Sequence, residues 1–430
     1  MKRMIDHFLR TWKTSPSRKP MLLLGARQVG KTYAVNQLGA TYESFVTINL
    51  ETQPEFAQIF EGALKPALMI QKISGLLEQD IIPGKTLFFI DEIQAVPRAI
   101  TALRYFYEEL PALHIIAAGS LLDFALESEG SPVGRVNFLR MYPMSFVEFL
   151  SALEQKRFIK DLLSDDTILL SDEFINKHRL ELLGHYLMVG GMPETVAAWV
   201  NQQNIRECAT YSSDLIAGYK RDFVKYSKKT QLKYIEALFN NVPQQLGRRY
   251  KYSEVHGGFR KRDLAPCLDR LQTARLVYRV SRSDGQGLPV GAGASQDIFK
   301  VIFIDTALAQ YVLGLKASDW LVDPLASFAN KGPWVEAFIG QELLAYSHPR
   351  HDNYLYYWER TTRGSEAEVD YLIQRNQHII PIEVKSGQES IHHSGMDTFI
   401  KNFSPNRVLL VGEQGMPVEE FLKTPVAHFV

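Results

Sequence analysis

Gly25-Ala26-Arg27-Gln28-Val29-Gly30-Lys31-Thr32 follows the apolar run Met21-Leu22-Leu23-Leu24 and opens a stretch with helical patterning. It matches G-x-x-x-x-G-K-[ST] at every fixed position, in the strand–loop–helix context that the pattern requires. The residue types follow from the chemistry of holding phosphate. Glycines let backbone N–H groups approach closely and adopt positive φ. The N-terminus of the following helix adds free donors and a favourable dipole. Lys31 is expected to reach the β- and γ-phosphates, and Thr32 to ligate Mg²⁺. Tyr33, the next helical residue, is grouped with this set as nucleotide-binding.

Around this loop, residues 21–142 alternate apolar runs with helical stretches: MLLLG from Met21, FVTINL from Phe45, TLFFID from Thr86, HIIAAGS from His114 and VNFLRMY from Val136. Short apolar runs separated by crossover-length helices predict an α/β fold with a parallel sheet. LFFIDEIQ puts Asp91 and Glu92 at the end of one such strand, the edge where open α/β sheets bind ligands. Asp91 is expected to hold Mg²⁺ through water and Glu92 to polarise the attacking water. Ser120 closes the next strand and is a candidate contact to the γ-phosphate or the water. Arg98, Arg104, Arg135 and Arg140 are candidate γ-phosphate sensors, in cis or in trans.

RQVGKT, DEIQ and the segment from Gly134-Arg135 through Tyr142-Pro143-Met144-Ser145-Phe146-Val147-Glu148-Phe149 together resemble the prokaryotic AAA+-type ATPases related to the STAND and archaeal ATPase lineage. LMVGGMPETV, from Leu187, resembles the GG-x-P turn of that group. The resemblance covers nearly the whole chain. It implies an additional-strand catalytic-Glu core, then helices, a winged helix and a C-terminal domain of uncertain function. It also marks Arg135 as the first arginine to inspect.

Lys and Arg total 48 and Asp and Glu total 48 in 430 residues, so the chain is not a uniform polycation that would coat nucleic acid or anionic membrane. The length fits about three domains. Two cysteines, Cys208 and Cys267, cannot build a disulfide framework or a four-cysteine zinc site. At the N-terminus, Met4, Ile5, Phe8, Leu9 and Trp12 recur with helical spacing among charges, which predicts an amphipathic helix and not a signal peptide. No uncharged run reaches the ~18–20 residues needed to span a bilayer. The expectation is a cytoplasmic protein without a membrane segment.

The charge is uneven. Residues 220–282 hold sixteen Lys or Arg against five acids, a local excess of eleven positive charges. Within them KRDLAPCLDRLQ, from Lys261, places Leu264, Leu268 and Leu271 on one helical face ahead of a strand-like run. A short helix followed by a strand is what the recognition helix and wing of a winged helix look like. Two uses stay open: DNA or RNA contact through phosphates, or docking to protein.

Near the C-terminus, SEAEVDYLIQ alternates, so Glu368 and Asp370 are expected on one strand face, with Val369 and Tyr371 on the other. In IIPIEVKSG, Glu383 and Lys385 share a face. Glu336 stands on the apolar helix PWVEAFIGQELL, in line with Ile339 and Leu343, where a carboxylate needs a partner. A helical acid, a strand acid and an E-x-K on the next strand resemble the restriction-endonuclease-like PD-(D/E)xK fold. The resemblance implies that Asp370 and Glu383, with Glu336, bind Mg²⁺ or Mn²⁺ and that Lys385 orients water. Val369 departs from the Pro-Asp form of that pattern. An amphipathic hairpin with solvated charges, a nuclease-like fold without activity and an active nuclease all remain open. His392-His393 and His378 read as surface residues.

These readings divide the chain into a P-loop core (1–143), a helical region (144–245), a winged-helix-like domain (246–317) and a restriction-endonuclease-like domain (318–430). The leading expectation is a Mg²⁺-dependent ATPase whose nucleotide state controls a nuclease-like domain, with nucleic acid, a protein or further copies of the chain as partners. The alternative is a STAND-like ATP-driven switch, or protein-binding module, whose nuclease-like domain is inactive.

Overall fold

The computed structural model describes residues 1–129, 132, 134–155, 173–315, 332–351, 354–362, 365–375, 377–385, 394–405 and 408–412. The chain forms two compact units: Met1–Tyr142 with His348–Asp352, and Pro143–Ser347 with Asn353–Val430. Among the described residues, no helix is long and apolar enough to cross a membrane.

In the first unit, helix α1 (Ile5–Thr14) buries Ile5, Leu9 and Trp12 as its periodicity predicts. The sheet comprises β1 (Met21–Leu24), β2 (Ser44–Asn49), β3 (Thr86–Asp91), β4 (His114–Ala118) and β5 (Asn137–Arg140), one for each apolar run. They are joined through α2 (Lys31–Gly39), α3 (Pro54–Glu61), α4 (Pro66–Leu77), α5 (Pro97–Glu109) and α6 (Leu122–Glu129). The strand order is β2-β3-β4-β1-β5, and every pair is parallel.

Helices cover both faces of such a sheet, which is why β1, β3 and β4 read as nearly unbroken apolar runs. Alternate residues Leu22, Leu24, Phe88, Ile90, Ile115 and Ala117 pack with Phe56, Phe60, Met69, Ile73, Leu103 and Phe106 of α3–α5 in one core. Because all strands run the same way, their C-terminal ends share one edge. The segments after Leu24, Asp91 and Ala118 therefore emerge together.

The second unit begins with α7 (Phe146–Ala152), α8 (Glu173–Val189), α9 (Pro193–Gln202), α10 (Ile205–Tyr226) and α11 (Leu232–Asn241). Residues 144–245 hold helices and no strand among those described. The Gly190-Gly191 turn has a specific physical task. Gly190 has φ +80°, and Gly191 accepts the Met144 N–H at 2.6 Å. A Cβ on Gly191 would stand 2.1 Å from the Met144 carbonyl oxygen. Asp305, fully buried, fastens the same turn by accepting the Gly191 N–H at 2.7 Å. Gly191→Ala is expected to cost about 1–3 kcal/mol, the usual range for overpacking, and to lower Tm by several degrees. Thermal unfolding followed by circular dichroism measures this, and an unchanged Tm would show that the turn has slack.

A mixed six-stranded sheet follows. The helix α12 (Lys261–Thr273) leads into β6 (Val277–Ser283) and β7 (Phe299–Phe303), an antiparallel pair. After α13 (Thr306–Val312) and α14 (Gly332–Tyr346) come β8 (Leu355–Thr362), β9 (Ser365–Arg375), β10 (His378–Lys385), α15 (Ser394–Phe403) and β11 (Leu409–Gly412). The order is β11-β10-β9-β8-β6-β7, with β6 parallel to β8. One sheet thus runs across the boundary expected at residue 318, and the boundary expected at 246 also falls inside this unit. On one face Trp358, Val369, Leu372, Met396 and Phe399 close a core under α15.

Candidate functional site

The loop after β1 is shaped by its neighbours. Met141, just past β5, donates its N–H to the Leu24 carbonyl at 2.8 Å. A Cβ on Gly25 would lie 2.5 Å from the Met141 carbonyl oxygen, and Gly25 has φ +155°. Gln28 takes φ +64°, and Gly30, at φ +95°, caps α2. Ala26 and Val29 are buried and anchor the loop, while Arg27, Gln28, Thr32 and Tyr33 are exposed. The first N–H groups of α2 have no partner within the helix, which makes this turn an anion site.

Lys31 is buried, and its Nζ donates to the Gly25 carbonyl at 2.8 Å and the Ala26 carbonyl at 2.7 Å. The loop's own backbone thus holds the ammonium. Thr32 Oγ1 donates to Asp91 Oδ2 at 3.0 Å, across from β3. Asp91 Oδ1 accepts the Glu92 N–H at 3.0 Å. Burial pushes the Asp91 carboxyl above its usual range, against the Thr32 hydrogen bond. A hydroxyl and a carboxylate side by side are hard oxygen donors of the kind Mg²⁺ takes.

Glu92 has φ +50°, a costly conformation for a side chain of its size. Its Oε2 accepts the Gln94 amide at 2.5 Å. Gln94 lies so close to Gly119 that a Cβ there would stand 1.8 Å from Gln94 Oε1. Gln94 therefore sits between Glu92 and the Gly119-Ser120 corner, which orients Glu92. The sequence reading passed over its role, although its place two residues after Glu92 was the available signal. Ser120 lies at this edge because β4 ends there.

Arg135 does not. It precedes β5, and its Nε pairs with Glu108 Oε1 at 3.3 Å in the last turn of α5. Its neighbour Gly134 accepts from Lys19, which precedes β1, at 2.6 Å. These contacts put Arg135 at the N-terminal edge of the sheet. A strand rises ~3.3 Å per residue, so the length of β1 keeps the arginine on the order of 13 Å from the loop. Sensing the γ-phosphate in its own chain is ruled out by that position. Arg104 shares Glu108, at 3.1 Å, and Arg98 donates to the Phe60 and Gly62 carbonyls. Arg140 donates to the Arg350 carbonyl.

In the basic region, α12 buries Leu264, Cys267, Leu268 and Leu271, as its spacing requires. Many of the cations have partners: Arg248 and Lys251 meet Glu254, Arg279 meets Asp269, and Lys225 meets Asp222. Lys261 pairs with Asp297, and Arg282 with Glu359, acids that lie outside residues 220–282. Exposed pairs of this kind add little stability, but they lower the charge presented to a phosphate backbone.

The carboxylates of the C-terminal part converge on a residue that sequence reading missed. Lys300, the second residue of β7, is 2% exposed. Its Nζ meets Glu336 Oε1 of α14 at 2.7 Å, Asp370 Oδ1 of β9 at 3.4 Å, and Glu368 of β9. The Tyr357 ring lies 5.2 Å away. The signal for Lys300 was a lone lysine in FKVIF, whose other residues are all apolar.

The strand alternation expected in β9 also fails at one point. Tyr356 pairs with Leu372 and Trp358 with Val369, so Asp370 and Tyr371 bulge opposite Tyr357. Tyr371 therefore does not face away from Asp370's side: its hydroxyl donates to the Glu336 carbonyl at 2.7 Å. Asp370 Oδ2 accepts the Val384 N–H of β10 at 2.8 Å, just where the β9–β10 pairing ends.

Burial pushes the Glu336 carboxyl up to about 8, against the pull of Lys300. Burial acts to lower Lys300, but Glu336, Asp370 and Glu368 outweigh it and hold the ammonium charged. Glu383 is buried on β10. The Lys385 side chain and His392-His393 lie outside the described residues, and His378 is exposed. Among the described residues, no trio of His, Cys, Asp or Glu is placed to hold a metal ion.

Residues 17–150 match the family model described as an AAA domain. Residues 180–319 and 331–427 match two models described as domains of unknown function, DUF8612 and DUF4143. Among solved structures, the chain is similar to the Walker-type ATPase PABY2304 of Pyrococcus abyssi, at 15% identity and a TM-score of 0.46, covering 72% of this chain and 95% of that one. It is also similar to the Aeropyrum pernix ORC1 protein in complex with DNA, at 13% identity and a TM-score of 0.30, covering 76% and 94%. Among curated proteins, none matches. Together with the loop geometry and the parallel strand order, the match shows a P-loop core of the AAA kind in residues 17–150.

Proposed function

We propose that the chain binds and hydrolyses Mg²⁺-ATP, and that its nucleotide state switches the second unit as a binding module rather than as a nuclease. The observation that carries the hydrolytic reading is the Thr32–Asp91 hydroxyl–carboxylate contact beside Lys31. Lys31 leaves the Gly25 and Ala26 carbonyls to hold the β- and γ-phosphates. The α2 N-terminus binds phosphate oxygens through backbone N–H groups. Thr32 and Asp91 would hold Mg²⁺, which supplies neutralisation of phosphate charge when bound. Glu92, oriented by Gln94, accepts a proton from the attacking water, and Ser120 is placed to contact that water or the γ-phosphate.

A covalent route supports the switch. Gly25 lies against the Met141 carbonyl, and the next residues pass directly into the second unit. There Phe146 donates its N–H to Glu342 of α14, and Tyr186 donates to the Met144 carbonyl at 2.5 Å. The same helix α14 carries Glu336. Displacement of the loop on nucleotide exchange is thus passed along the chain to the helix that holds the acidic cluster. Arg135, facing away from its own loop, is left to serve a neighbouring copy.

The test measures ATP turnover and nucleic-acid cleavage together, in wild type and Asp370→Asn. Mg²⁺-dependent turnover in both proteins, with DNA and RNA left intact, is expected. Cleavage that disappears in Asp370→Asn would establish the nuclease reading instead.

A further inference from the structure

We propose that Lys300 is the resident cation of the Glu336–Glu368–Asp370 cluster, standing where a nuclease-like fold would hold its metal, so that this site takes no divalent ion. The inference deepens, and rests on, the reading of the second unit as a non-nuclease.

A Mg²⁺ site gathers oxygens at about 2.1 Å around one point. Here the convergence point is an ammonium nitrogen, 2.7 Å from Glu336 Oε1 and 3.4 Å from Asp370 Oδ1, with Glu368 also in contact. Lys300 cannot readily withdraw. Its backbone pairs with Val280 of β6 on one side and bridges Arg249 on the other. The side chain is buried, and Glu368 and Asp370 reach back from β9 to meet it, since β6 and β8 lie between the two strands.

The acids are equally committed. The second oxygen of Asp370 is spent on the Val384 N–H, and the Tyr371 hydroxyl donates to the Glu336 backbone carbonyl, fixing the helix turn from which the Glu336 carboxylate reaches Lys300. A divalent ion arriving at this point would face a charged ammonium at contact distance, with little water to screen it. The Glu368 side chain is 43% exposed, so its charge is partly solvated.

The hypothesis also explains why a lysine is kept in an apolar strand. A buried ammonium is costly unless paired, and three carboxylates from two other elements pair it. Removing the ammonium leaves the three carboxylates facing one another without a cation, and they would have to draw closer than they now lie to share a metal ion.

The experiment titrates nucleotide-free, full-length protein with Mn²⁺ and counts bound ions by electron paramagnetic resonance. Wild type and Asp370→Asn are expected to bind alike. Lys300→Met is expected to gain one site per chain, at least about tenfold tighter than any in wild type, and Lys300→Met/Asp370→Asn to lose it again.

Wild-type Mn²⁺ binding that vanishes in Asp370→Asn would overturn the proposal, and this arm holds even where Lys300→Met does not fold. A folded Lys300→Met that gains no Mn²⁺ would overturn it too. In that second case intact nucleic acid in wild-type samples leaves the switch reading standing. Wild-type cleavage lost in Asp370→Asn would remove the reading itself.

Discussion

Lys31→Ala is expected to lower ATP affinity by roughly 100-fold, to the point where saturation is not reached at millimolar nucleotide. The lysine supplies charge-assisted hydrogen bonds to phosphate, each worth about 1.5–3 kcal/mol. At ~1.4 kcal/mol per factor of ten, losing one or two of them gives that figure. The geometry adds a second reason. Lys31 also bonds the Gly25 and Ala26 carbonyls, so its removal loosens the turn that presents the backbone N–H groups. Calorimetric titration with a slowly hydrolysed ATP analogue measures the loss. An affinity within a few-fold of wild type would mean that the loop binds phosphate by backbone alone, against the assignment made here.

Glu92→Gln separates binding from chemistry. The glutamine keeps the shape and can still contact Gln94, but it cannot take a proton from water. General-base catalysis is typically worth about 10²–10⁴-fold, so kcat is expected to fall by at least ~100-fold while ATP affinity stays close to wild type. Single-turnover phosphate release, with affinity measured in parallel, gives both quantities. Unchanged turnover would move the base to another residue, with Ser120's corner the next place to look.

Much of the core was legible because its physics is local. A strand buried on both faces must be apolar throughout, so the runs mark β1, β3 and β4 directly, and the less buried edge strands β2 and β5 still follow their apolar runs. The phosphate loop was legible for the same reason: Gly25 and Gly30 answer steric demands of the turn itself. For Arg135 the choice between cis and trans was not legible, because sequence gives its distance from the loop along the chain, not which edge of the sheet it occupies. That depends on strand direction and on Glu108, a residue with no sequence relation to it.

The second site was legible only in its acids. Glu336, Glu368 and Asp370 were named from face and spacing, and they do meet. Their partner Lys300 stood in a different stretch, between two of the regions the sequence reading singled out. The bulge at Asp370-Tyr371 was invisible as well. An alternating run specifies two faces, and one extra residue in one strand reassigns a side chain without changing the pattern.

The parallel pairing of β6 with β8 has a consequence for how this chain can be divided. Val280 meets Leu355 only after the intervening residues have been made and folded. Neither of the two matched stretches after residue 180 completes a sheet by itself. Cut after Leu315, the hairpin would present β6 as an open edge, a template for pairing with other chains, and would carry an ammonium with none of its three acids. The lysine that steadies the finished sheet thus penalises the unfinished one.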